Sequence, residues 1–155
     1  MYYTAQIVKE KYPDAGIVFI GPCVAKRKEV KQDPNVDFTF EEIGSILNGL
    51  DIKPDEVKPY SIPFTAVREA HGFAQSGGVI NAVKVYLKDE SVDAVQVSNL
   101  TKKNVALLRA YAKTGKAPAH FIEVMACEGG CVTGSCIYTD KQTGQKQLIK
   151  ELTKL

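Results

Sequence analysis

His120-Phe121-Ile122-Glu123-Val124-Met125-Ala126-Cys127-Glu128-Gly129-Gly130-Cys131 is the stretch on which the reading of this chain turns. Residues 120–125 are few, mostly apolar and rich in aromatic and β-branched side chains, which predicts a strand, and the glycines beyond it mark where it stops. The strand therefore delivers Cys127 and Cys131 at its carboxyl end. In open parallel α/β sheets that is where ligands collect.

Upstream, Val92-Asp93-Ala94-Val95-Gln96-Val97 alternates and predicts a second strand. A helix carrying Val105, Leu107, Leu108 and Tyr111 joins the two, capped within residues 99–101 and stopped at Gly115. Further back, Phe73-Ala74-Gln75-Ser76-Gly77-Gly78 runs into Val79, Ala82, Val83, Tyr86 and Leu87, an apolar stripe at helical spacing, so the glycines sit at a helix N-terminus. Ile17-Val18-Phe19-Ile20 predicts a buried strand that ends at Gly21-Pro22-Cys23, again with a cysteine at its carboxyl end. Helices are predicted over residues 2–12 and 40–50, the second capped by Thr39 with Glu42 completing a capping box. Residues 51–69, with Pro54, Pro59 and Pro63, read as a connecting segment, and residues 142–155 as a terminal amphipathic helix. This order implies right-handed βαβ connections: an α/β fold with a mostly parallel sheet and flanking helices.

The 155 residues and 45% hydrophobic content suit one core, and a single domain is expected over residues 1–155. A formal net charge of +2, with both signs interspersed, leaves no electrostatic footprint for nucleic acid or anionic lipid. No apolar run approaches the roughly 20 residues of a spanning helix, and Met1–Pro13 has neither a signal-peptide core nor a cleavage site. The expected location is the cytoplasm, and the expected partners are small ligands or proteins.

Cys23, Cys127, Cys131 and Cys136 are the four cysteines. Three lie within ten residues of one another in a Gly-rich stretch, which in a reducing compartment points to a metal or redox site before a disulfide framework. Two strands ending in cysteines would bring soft thiolates to one edge of the sheet, as an iron-sulfur cluster held by distant segments requires. Two glycines between Cys127 and Cys131 would let the backbone approach inorganic sulfides and leave amide N–H groups free to bond them. A zinc site would use closer cysteine pairs or a nearby His, and neither His71 nor His120 has such spacing.

Gly21-Pro22-Cys23-Val24-Ala25-Lys26-Arg27-Lys28-Glu29 resembles the second signature of iron-only hydrogenases, P-C-x-x-K-x-x-E. Glu123 to Cys131 resembles the third, E-x-M-A-C-x-x-G-C, and residues 73–79 resemble the Gly-Gly stretch that leads into a helix near the active site of that family. The resemblance runs from residue 1 to about 135. It implies that Cys23, Cys127 and Cys131 ligate a cubane 4Fe–4S cluster, and that Cys131 also bridges to a two-iron subcluster, the two together forming the H-cluster. Ser76, Gly77 and Gly78 would line that cofactor. Lys26 would donate a hydrogen bond to a cyanide on the two-iron part, and Met125 would pack against its diatomic ligands. Glu29 would join a proton path, provided burial raises its pKa toward neutrality. Within the charged run 26–29 a solvated loop is the default, and only the motif lifts Lys26 above it.

The family's first signature, T-S-C-C-P-x-W, supplies the remaining cubane ligand and is absent from this sequence. A partial chain is therefore expected, with no complete cluster and no turnover by itself. Its partners would be the upstream part of the same protein and ferredoxin or ferredoxin-like electron-transfer domains, and the apolar surface left by the missing part would favour self-association. Gly21 stands where the well-studied enzymes usually carry Met, and Val132-Thr133-Gly134-Ser135-Cys136 replaces a run of glycines. These departures suggest a divergent, sensory branch. Cys136 reads either as a buried thiol or as a substitute ligand. Four classes follow: a hydrogen-converting enzyme domain, a sensor domain with the same cluster, an iron-sulfur assembly module without the two-iron site, and a plain zinc fold. Lys26 and Met125 disfavour the third.

Overall fold

β1 (Val18–Gly21) pairs in parallel with β2 (Val36–Thr39), Val18 opposite Val36 and Gly21 opposite Thr39. A second parallel pair joins β3 (Ala94–Ser98) to β4 (Phe121–Met125), Ala94 opposite Phe121 and Ser98 opposite Met125. The computed structural model describes residues 1–30, 36–60, 66–88 and 91–155. The protein is α/β, with two small parallel sheets and flanking helices. Among the described residues no helix is long and apolar enough to cross a membrane.

The chain divides into two compact units, one of residues 1–61 with 134–139, the other of residues 62–133 with 140–155. Among the described residues the first holds β1 and β2 with the helices α1 (Tyr2–Lys11), α2 (Lys26–Val30) and α3 (Phe40–Gly49). Thr39 and Glu42 form the expected capping box on α3: the Glu42 N–H donates to Thr39 Oγ1 at 3.2 Å, and the Thr39 N–H donates to Glu42 Oε2 at 2.8 Å. Arg27 reaches from α2 to pair with Glu42. Beside the Arg27 guanidinium, and with the Thr39 N–H bond as the larger cause, the Glu42 carboxyl is held below its usual value.

Two expectations for this unit need correction. The polar stretch after Cys23 is not all loop, since Lys26–Val30 is helical, and β2 has no counterpart in the sequence reading. Nor is β1 a buried strand: Val18 is 54% exposed and Ile20 45%, while Gly21 is buried. Parallel sheets are ordinarily covered on both faces, but a two-stranded pair lacks the breadth to be sandwiched.

The second unit holds α4 (Arg68–His71), α5 (Gly78–Leu87), β3, α6 (Lys102–Thr114), β4 and α7 (Lys141–Leu152). Thr101 caps α6 by accepting the Asn104 N–H at 3.2 Å, and Gly115 closes it with φ 65°. The β3–α6–β4 succession gives the parallel pair its crossover helix. Backbone pairing runs past the strand ends, with Asn99 N–H donating to Met125 O at 2.9 Å and Leu100 N–H to Ala126 O at 3.1 Å. That extension carries a fixed backbone up to Cys127. Val97, Met125 and Leu152 are buried apolar side chains of this unit. The connecting segment read over residues 51–69 lies partly outside the described residues and otherwise ends in the single turn of α4.

Candidate metal centre

Cys127 and Cys131 bracket a tight loop at the carboxyl end of β4, as the strand reading requires. Gly129 and Gly130 both take positive φ, 85° and 97°, a conformation open to glycine and costly for other residues. The Gly130 N–H closes a turn onto Cys127 O at 3.1 Å, and the Thr133 N–H donates to Gly130 O at 3.2 Å. The buried Thr133 hydroxyl donates to Gly130 O at 2.9 Å and also to Glu128 O. Cys127 and Cys131 are half-buried on this frame, and neither is in a disulfide.

Residues 74–77 lie directly across the loop. The Ser76 N–H donates to Gly129 O at 3.1 Å. A Cβ on Gly130 would stand 2.6 Å from both Ala74 O and Ser76 N, so a side chain there is excluded by protein backbone. Ser98, the last residue of β3, ties the pieces together: its hydroxyl shares a hydrogen bond with the Ser76 hydroxyl at 2.9 Å, reaches Cys127 O at 3.4 Å and accepts from the Gly129 N–H at 3.4 Å. The expectation that the loop amides stay free for inorganic sulfide is thereby corrected at two positions. Gly129 donates to Ser98 and Gly130 to Cys127, because the two left-handed residues turn their N–H groups onto protein acceptors.

Glu123 was not singled out by the sequence reading. It is 3% exposed within β4, and its two carboxylate oxygens accept the Gly77 N–H at 2.6 Å and the Ile80 N–H at 2.9 Å. A lone carboxylate in an otherwise apolar strand was the available signal, since a buried charge needs partners. Ser98 offered no comparable signal, being one hydroxyl at a strand end. Of the residues expected to line a cofactor, Ser76, Gly77 and Gly78 all sit at the start of α5, and Gly78 packs against the Gly72 carbonyl. Met125 is buried at the end of β4.

In the first unit, Cys23 is half-buried just beyond β1, and its carbonyl accepts the Lys26 N–H at 3.3 Å. Lys26 and Glu29 share α2 one turn apart, with Nζ donating to Glu29 Oε2 at 2.6 Å. The Tyr2 N–H donates to Glu29 Oε1 at 2.8 Å, and the N-terminal ammonium lies 3.4 Å from the same oxygen. The Lys26 hydrogen bond first, then that of Tyr2, hold the Glu29 carboxyl down at about 2. The condition attached to Glu29 as a proton carrier, a pKa raised toward neutrality, is thus reversed by its cationic surroundings. Cys136 is 7% exposed, and its N–H donates to Pro22 O at 3.3 Å, setting it against the peptide that joins Pro22 to Cys23.

Within either unit, among the described residues, no three His, Cys, Asp or Glu side chains gather as a metal ion would need. The donors that each unit does offer are soft thiols at strand ends, which fit iron-sulfur ligation in kind. A cleft of ≈ 660 Å³ lined by Arg68, Gln75, Asn81, Lys84 and Lys88 is bordered by no cysteine, whereas a hollow of ≈ 280 Å³ lies against the loop at Ser76, Gly129, Val132 and Gln145. The smaller one adjoins the loop that carries Cys127 and Cys131.

The family model described as iron only hydrogenase large subunit, C-terminal domain, matches residues 1–135. The chain belongs to this family. The match takes in Cys23, Cys127 and Cys131 and stops one residue short of Cys136. Hydrogenase-family membership accounts for the order of the motifs along the chain, and the second unit accounts for how the last of them is held rigid. A Cβ on Gly21 would meet the Phe19 ring at 2.7 Å, so a larger residue there would have to displace that ring.

Proposed function

We propose that this chain is the thiolate-bearing portion of an H-cluster-type redox domain, with Cys23, Cys127 and Cys131 as three ligands of a cubane 4Fe–4S cluster and Cys131 shared with a two-iron subcluster. The observation that carries the reading is the delivery of Cys127 and Cys131 by one pinned loop inside the segment matched to the family. When bound, such a centre stores electrons and interconverts hydrogen with protons and electrons. The chain's own part is to hold the thiolates, to keep water away through buried Met125, and to offer Lys26 as a cationic donor steadied by Glu29.

In the full-length protein the activity is reversible hydrogen oxidation and proton reduction, with electrons exchanged with ferredoxin or ferredoxin-like domains. Three thiolates leave a cubane one ligand short, so this chain alone is read as inactive. Thiols kept out of disulfides suit a cytoplasmic setting.

A sensory role coupled to signalling is the second reading, and two observations favour it. Both Glu29 oxygens are engaged, one by Lys26 Nζ and one by the Tyr2 N–H, and the Phe19 ring fills the space that a side chain at position 21 would need.

Anaerobic reconstitution with iron and sulfide tests the proposal. Brown protein with a reducible, paramagnetic cluster is expected, with iron uptake falling sharply in Cys127→Ser and Cys131→Ser and no hydrogen evolved. Colourless protein with stoichiometric zinc would overturn the cluster reading. Turnover by the isolated chain would overturn the inactivity.

A further inference from the structure

Helix α5 begins at Ser-Gly-Gly and has no local cap: Gly77, at the N-cap, has no side chain, and its first turn holds no acidic residue. Glu123 supplies both halves of a capping box from another element, bonding the N-cap N–H at Gly77 and the third helical N–H at Ile80. A buried carboxylate with both oxygens committed to backbone amides beside a helix N-terminus is strongly held.

The residue next to Gly77 is Ser76, whose N–H and hydroxyl grip the cysteine loop through Gly129 O and Ser98. We propose that Glu123 is a positioning residue for the Cys127–Cys131 thiol pair, acting through the backbone of Gly77 and Ser76. The inference rests on the reading that these two thiols are ligands. The chain of contacts is continuous. Glu123 fixes Gly77, Gly77 fixes the 74–76 strap, and the strap closes over the Gly129–Gly130 turn that sets the spacing of the two sulfurs. Freeing Gly77 would let the strap lift and the loop sample other conformations.

The test uses the full chain, metal-free and reduced, alkylated with limiting iodoacetamide and resolved site by site by mass spectrometry. In Glu123→Ala the rates at Cys127 and Cys131 should rise several-fold, and in Glu123→Gln, which keeps one acceptor oxygen, by less. Cys23 and Cys136 should react as in the wild type. Unchanged or slower reaction at Cys127 and Cys131, or an equal rise at all four cysteines, would overturn the proposal. Should the alanine variant fail to fold, the ratio of Cys127 to Cys23 reactivity in Glu123→Gln decides in the same way. After reconstitution, the glutamine variant should retain iron with a shifted paramagnetic signal, and a signal identical to wild type would count against positioning. Absence of any cluster in the wild type would remove the functional reading and leave the alkylation pattern to judge Glu123 by itself.

Discussion

Glu123 on β4 accepts the backbone N–H of Gly77 at 2.6 Å across 46 positions of chain, and so one carboxylate caps the helix that no nearby residue caps. Removing it orphans two N–H groups in a site that is 3% exposed. Each orphaned partner of a charged hydrogen bond costs about 1–3 kcal/mol. Glu123→Ala should therefore lose about 2–4 kcal/mol of stability in urea unfolding, given partial relaxation. Glu123→Gln should lose about half of that, because its amide can accept only one of the two bonds. A loss below about 0.5 kcal/mol in the alanine variant would mean that water takes over the cap.

Gly130→Ala tests whether the cysteine loop is rigid for the reason given. Its φ of 97° is unfavourable for an L-residue, and the new Cβ would meet Ala74 O and Ser76 N at 2.6 Å. The backbone term alone is about 1–2 kcal/mol, and displacing the strap brings the expected loss to about 2–4 kcal/mol. Urea unfolding measures it. An alanine variant as stable as the parent would show that the 74–76 strap is not seated on the loop.

Local signals in the sequence carried most of the elements. The stripe Val79–Leu87, the Thr39–Glu42 capping box and the Thr101 and Gly115 boundaries all lie where the structure has them, because each depends on residues a few positions apart. The strand at residues 121–125 was legible for the same reason, and its carboxyl end does deliver the cysteine loop. What escaped was tertiary. β2 is four residues beside a polar run, with nothing local to separate it from loop. Val18 and Ile20 look like core from composition, and only the narrowness of a two-stranded sheet leaves them exposed. Gly129 and Gly130 read as leaving their amides free for sulfide, yet those amides point at Ser98 and Cys127 O, partners that no spacing rule names.

Thr39 closes β2 and opens α3, so its loss should be felt by both. It is buried, its hydroxyl accepts the Glu42 N–H, and its own N–H is bonded in return. Thr39→Ala should cost about 1–2 kcal/mol, and Thr39→Ser, which keeps the acceptor, much less. Thermal melts followed by circular dichroism compare the two. Equal melting temperatures for the alanine and serine variants would assign the effect to the lost methyl group and not to the cap.

Glu29 gives the chain a stability term whose pH window can be worked out. Its carboxyl is held at about 2 when folded, by Lys26 first and the Tyr2 N–H second, against an unfolded value near 4.5. A carboxylate lowered on folding stabilises the folded state in full above the unfolded value and loses that contribution as pH falls toward the folded one. The window is therefore pH 4.5 down to 2. Because the pair is partly open to solvent, the contribution is about 1–2 kcal/mol once screening is allowed for. Glu29→Gln should be less stable than wild type by that amount at pH 7, and the two unfolding curves should converge as pH approaches 2. Added salt at neutral pH should narrow the gap as well, since the Lys26 ammonium lies within reach of mobile ions. A gap that stays constant from neutral pH to the acid limit would show that Glu29 acts by packing, and the ion pair with Lys26 would then carry none of the stability.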